Sequence, residues 1–141
     1  MKVPGFQNIS ADQIQGSSQT AIQSRSDVFK QKAAELKQVM ISSKPYLNPK
    51  LTIHDLAQSV QMPPHQLSKI IYFEFNCNFF ELVNSYRIQE FKDKAFSKEF
   101  RNLTILAIAL ECGFNSKSSF NRIFKDSTGI TPGDFLKHHH P

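Results

Sequence analysis

A chain of 141 residues with 40% hydrophobic residues, thirteen Phe and no Trp has enough apolar material for one packed domain or two small subdomains sharing a core, which excludes a disordered chain. Its two cysteines, Cys77 and Cys112, lie outside any CxxC or Cys/His cluster, which argues against a disulfide framework or a zinc site and fits a reducing interior. The formal charge is +5, of which +4 falls in residues 1–50, so an anionic partner has to be argued from where charges fall along the chain.

No apolar stretch follows Lys2, so no signal peptide is expected, and no run approaches the ~18–20 apolar residues of a membrane span. The expected location is the cytoplasm, with a membrane-anchored or phosphorelay-linked parent left open. Residues 1–26 are rich in Gln and Ser without sustained periodicity and are expected to form a flexible arm or linker. Asp27 is a candidate N-cap for a connector helix over 27–44, in which Phe29, Ala33, Leu36 and Met40 recur at helical spacing. Lys44-Pro45 should end it, because the residue before a proline is pushed out of helical conformation. Two readings of its stripe stand: packing on the following domain, or self-association or coupling to a sensor domain through Leu36 and Met40.

From residue 51 the chain repeats itself. "LTIHDLAQSVQM" (51–62) lies over "LTILAIALECGF" (103–114) at a constant offset of 52. After one extra residue in the second copy the register resumes at 53, pairing Leu67 with Phe120, Ile70 with Ile123 and Ile71 with Phe124. Each copy reads as helix, tight turn, helix, over about 52–75 and about 104–127. Thr52 and Thr104 are natural N-caps, with Asp55 completing a capping box in the first copy. Ala57 and Ala109 sit where a second helix would cross closely, and Gly113 supplies the positive φ of the second turn. Pro64 and Ser116 suit the starts of the second helices. Asn76 and Gly129 are left-handed stops, and "NFFE" and "TPGD" cap the entries to a connecting helix over about 79–96 and a C-terminal helix over about 131–137. The expectation is an all-α chain of two tandem, homeodomain-like helix-turn-helix units joined by one long helix.

The stretch "ECGFNSKSSFNRIFKDSTGITPGDFLK" (111–137) resembles the second DNA-binding motif of AraC-type transcription regulators. That pattern is met by Ile108, Ala109, Gly113, Phe114, Ser118, Phe120, Arg122, Phe124, Lys125, Gly129, Thr131, Pro132 and Phe135. The first motif matches less strictly, and the resemblance covers most of a domain over 45–137. Departures are Gln61 and Asn76 where Gly is usual, Phe91 where a small Ala is usual, and a lengthened segment before Thr104.

The resemblance implies double-stranded DNA at operators or promoters as the partner, with RNA polymerase as a further candidate. Family members place their two reading helices in successive major-groove segments, about 34 Å apart on one face of the duplex. By the resemblance, His65, Gln66, Ser68 and Lys69 would read from the first unit, and Lys117, Ser118, Ser119, Asn121 and Arg122 from the second. Arg and Lys donate to guanine O6/N7, and Asn or Gln pairs with adenine. Asn78, Lys125 and Thr131 would hold phosphate, which positions without specifying sequence. Plainer readings stand beside these: an Arg122–Asp126 pair across one turn, solvated Lys117 and Lys125, and His65 as a surface residue.

Nothing in the chain suggests an enzyme. Five glycines are scattered, the acids show no paired arrangement, and no cofactor, metal or catalytic residue is expected. The run His138–His140, in the tail 138–141, reads as an opportunistic metal binder or a tag remnant. The rival class is a protein-interaction module on the same scaffold, to which Leu106-Ala107 would lend apolar surface.

Overall fold

The computed structural model describes residues 11–139, with side chains described from Ser24 onward. In chain order these are α1 (Ala11–Ser42), a 3-10 turn (Pro45–Leu47), α2 (Ile53–Ser59), α3 (Pro64–Phe75), α4 (Phe79–Ala95), a second 3-10 turn (Lys98–Phe100), α5 (Ile105–Glu111), α6 (Lys117–Thr128) and α7 (Pro132–His138). The internal repeat appears as two helix pairs of equal size: α2 and α5 span 7 residues each, α3 and α6 span 12 each. The extra residue of the second copy falls in the turn between α5 and α6.

Local chemistry accounts for the helix ends. Thr52 Oγ1 accepts from the Asp55 amide while Asp55 Oδ2 accepts from the Thr52 amide, both at 3.1 Å, and Asn78 and Glu81 form the same reciprocal box before α4. Thr104, Ser116 and Thr131 each accept one amide at the start of α5, α6 and α7. Asn76 (φ 62°) and Gly129 (φ 87°) close α3 and α6 in left-handed conformation. Gln61 also takes positive φ, at 56°, in the turn where the family usually has glycine.

The N-terminal helix differs from expectation. α1 starts at Ala11, not at Asp27, so residues 11–26 of the expected arm are helical, while residues 1–10 lie outside the described residues. Asp27 is an interior position of α1. The reason is cooperative: once residues 33–40 are anchored, each further residue adds a hydrogen bond without a new nucleation cost, and no proline interrupts 11–42. The helix stops at Ser42, before Lys44 (φ 48°) and Pro45.

Two hydrophobic cores share α4. The first gathers Leu36 and Met40 of α1, Leu56 and Ala57 of α2, Leu67 and Ile71 of α3, and Phe79, Leu82 and Val83 of α4. The second gathers Ile88 and Phe91 of α4 with Ile108, Ala109, Cys112, Phe114, Phe120, Phe124 and Phe135. Leu36 and Met40 are both 0% exposed, so of the two readings of the stripe it is packing on the following domain that these two residues follow, and they form no exposed self-association face. Phe91 fills the second core, its ring 4.8 Å from Phe120 and 5.6 Å from Phe124. The lengthened segment before α5 packs Phe100 on the same core and under the Lys94 ammonium, at 4.8 Å from the ring centroid.

A polar seam ties the two units at α4. Arg87 donates from Nε to the Tyr46 carbonyl at 2.7 Å and from Nη2 to the Asn48 carbonyl at 2.9 Å. Gly113 (φ 101°) lies against the same loop, where an ideal Cβ would stand 2.7 Å from Arg87 Nε and closer still to the Tyr46 carbonyl oxygen. One turn along α4, the buried Glu90 accepts from the Tyr46 hydroxyl at 3.0 Å and pairs with Lys44 at 3.3 Å and Lys94 at 3.4 Å.

Candidate nucleic-acid interface

The outward faces of α3 and α6 follow from what the helices bury. In α6, Phe120 and Phe124 are fully buried and Ile123 is half-buried, so the 3.6-residue period turns Lys117, Ser118, Asn121, Arg122 and Lys125 to solvent. In α3, Leu67, Ile70 and Ile71 are buried, leaving His65, Ser68 and Lys69 exposed. Gln66 and Ser119 are half-buried, each beside a core residue.

The second unit brings most of its expected residues together. Lys117, Asn121, Arg122, Lys125 and Thr131 line one groove of about 810 Å3, between α6 and the starts of α5 and α7. Ser119 faces another recess, which it shares with Asn115, Arg122 and Phe80. Asn78 lies in neither recess. It caps α4, its Oδ1 accepting from the Glu81 amide at 2.8 Å, and Thr131 Oγ1 likewise caps α7 at 3.1 Å. Among the described residues neither cap has its side-chain donor hydrogens engaged.

Among the described residues no ion pair joins Arg122 to Asp126, and none engages Lys69, Lys117 or Lys125. These cations are exposed and unneutralised, the state an anionic partner would use. In the first unit, His65, Gln66 and Lys69 share a groove with Arg25 and Phe29 of α1. Sequence reasoning missed that neighbour. Spacing puts Arg25 on the stripe of α1, four residues before Phe29, but does not say which helix the stripe meets, and Arg25 fell in the stretch read as an arm.

The remaining chemistry is structural. Burial pushes the Cys112 thiol up to about 12, so it stays protonated inside the second core, and desolvation also raises the half-buried Cys77. Among the described residues no group of three or more His, Cys, Asp and Glu could hold a metal ion, and no helix is long and apolar enough to cross a membrane. His138 belongs to the last turn of α7, and His139 stacks on Phe135 at 4.5 Å, while His140 lies outside the described residues. Leu103, Leu106 and Leu110 leave an exposed apolar stripe on and before α5.

The family pattern described as "Helix-turn-helix domain" matches residues 56–138. The chain is 31% identical over 85 residues to the uncharacterized HTH-type transcriptional regulator YpdC of Escherichia coli K12, covering 60% of this chain and 29% of that relative. The chain therefore spans less than a third of the curated relative's length. In fold it is similar to the C-terminal domain of AraT, a response regulator from Geobacillus stearothermophilus (TM-score 0.66, 22% identity, 77% of this chain and 85% of the other). It is also similar to a DNA-binding transcriptional dual regulator from Escherichia coli K-12 (TM-score 0.63, 21% identity, 76% and 96%). With its pattern matched over more than half of its length, the chain belongs to the AraC-type helix-turn-helix family of DNA-binding transcription regulators.

Proposed function

We propose that the chain reads double-stranded DNA with α3 and α6, set in successive major-groove segments on one face of the duplex. The observation that carries this reading is the pair of repeat-related helices of equal length, both anchored on α4, whose outward faces hold Lys69, Lys117, Arg122 and Lys125 with no ion pair among the described residues. Arg122 and Asn121 have the donor and acceptor chemistry for base edges, with Lys117, Ser118 and Ser119 beside them; His65, Gln66, Ser68 and Lys69 serve the first segment. Lys125, Thr131 and Asn78 hold the backbone.

Selection from a random duplex library at near-physiological salt tests the reading. The expected result is enrichment of two short motifs about one helical turn apart. Arg122→Ala should weaken binding to the selected site by about 1–3 kcal/mol and relax the preference at one position. Unchanged affinity and preference would remove Arg122 from the interface.

The module acts within a longer regulator in this reading. The fold neighbour that is a response regulator's C-terminal domain, and the small share of YpdC that the chain spans, support an output role. A second reading, a protein-interaction module, draws on the exposed Leu103, Leu106 and Leu110. Salt separates the two, because phosphate contacts release counterions and lose affinity steeply as salt rises, whereas an apolar protein contact depends on it weakly.

A further inference from the structure

The reading half of α3 has a neighbour. Arg25 and Phe29, one turn apart on α1, line a groove of about 390 Å3 with His65, Gln66 and Lys69. Phe29 fastens this stretch of α1 to α3, its ring 6.3 Å from that of Phe73. One turn further, Lys32 donates to the Val60 carbonyl at 3.1 Å. Arg25 thus stands one turn beyond two tertiary anchors, beside the N-terminal half of α3. Arg25, His65 and Lys69 are exposed, no carboxylate lines the groove, and among the described residues no ion pair or hydrogen bond engages these three side chains. Two cations, an imidazole and an amide around an aromatic ring make a site for an anion, and a guanidinium is suited to phosphate oxygens.

A helix that enters the major groove carries its immediate neighbours onto the phosphate strands bordering it. We propose that Arg25 is a DNA-backbone contact, through which α1 extends the footprint of the first unit onto the strand flanking the segment that α3 reads. The inference rests on α3 being a reading helix. A free phosphate ion has the same chemistry as the strand, and the test separates the two.

Anisotropy titrations of a duplex carrying a selected site, between about 50 and 200 mM salt, would compare the whole chain with Arg25→Ala and Arg25→Lys, alongside Arg122→Ala and Lys125→Ala. Arg25→Ala should reduce the slope of log K against log salt by about 0.9, so that affinity falls about 3.5-fold less across that range than in the unaltered chain. Cognate and scrambled duplexes should weaken alike, and Arg25→Lys should restore the slope. An unchanged slope overturns the proposal, as does tighter binding by Arg25→Ala, which would mean that α1 shields α3. Calorimetric binding of inorganic phosphate that depends on Arg25, with the DNA slope unmoved, overturns it in favour of a free anion. If Arg122→Ala and Lys125→Ala also leave DNA binding untouched, the reading assignment itself fails; if they weaken it and Arg25→Ala does not, only the extension fails.

Discussion

Replacing Gly113 by alanine would strike the seam between the two units, and Gly129 offers its own control. Both glycines have positive φ, 101° and 87°. Around Gly129 an added Cβ meets nothing within 4 Å, so Gly129→Ala should cost only the left-handed backbone, about 1–2 kcal/mol. At Gly113 the same methyl would collide with the Tyr46 carbonyl oxygen and stand 2.7 Å from Arg87 Nε. The Tyr46 oxygen is backbone and is held by Arg87 at 2.7 Å, so relief requires the 44–48 loop to move and that bond to break. Losing a charge-assisted hydrogen bond costs about 1.5–3 kcal/mol, which with backbone strain of about 1–3 kcal/mol places Gly113→Ala near 2.5–6 kcal/mol. Urea unfolding of both variants, followed by circular dichroism, measures the difference directly. The loop carries Tyr46 and therefore leads to Glu90, so the variant should also lose affinity for a two-segment site more than for a scrambled duplex. Equal destabilisation of the two variants would refute the argument, since it would mean that the 44–48 loop gives way freely and does not hold the units together.

Three further outcomes are expected. Burial alone would raise the Glu90 carboxyl, but the Tyr46 hydroxyl and the Lys44 and Lys94 ammonium groups outweigh it and hold the carboxyl below its ordinary value. A lowered folded-state value stabilises above the ordinary glutamate range and is lost as pH falls through it. Glu90→Gln should therefore cost about 1–2 kcal/mol at neutral pH, discounted because Lys44 is partly exposed, and the gap from the unaltered chain should close in thermal melts as the pH falls below the ordinary glutamate value and through the lowered one. Gln61→Gly should stabilise by about 0.5–1 kcal/mol by relieving the left-handed backbone at an exposed position, a change readable as a higher urea midpoint. Thiol titration of the native protein should reach Cys77 slowly and leave Cys112 untouched until denaturant is added, because Cys112 is fully buried and its thiol is pushed up to about 12.

Much of this molecule is local, and therefore legible in the sequence alone. Caps, stops and turns depend on residues three or four apart, so Thr52 with Asp55, Asn78 with Glu81, Asn76 and Gly113 declare themselves before any packing is known. The repeat then identifies the two helix pairs, and the period of Phe120, Ile123 and Phe124 separates the buried face of α6 from the face with Lys117, Asn121 and Arg122. Tertiary structure decided what depends on residues far apart in the chain. Whether the stripe of α1 met its own domain or a partner could not be read from its spacing, which is the same for either; the first core took Leu36 and Met40. The departure at Phe91 was visible in the sequence, but that it would be filled by contact with Phe120 and Phe124 was not. Nor could spacing bring Arg25 beside Lys69, or Glu90 beneath Tyr46 and Lys44, because each depends on where α1 and its loop land on helices some forty residues away. Periodicity tells a helix which face to bury, and only the packed chain tells it against what.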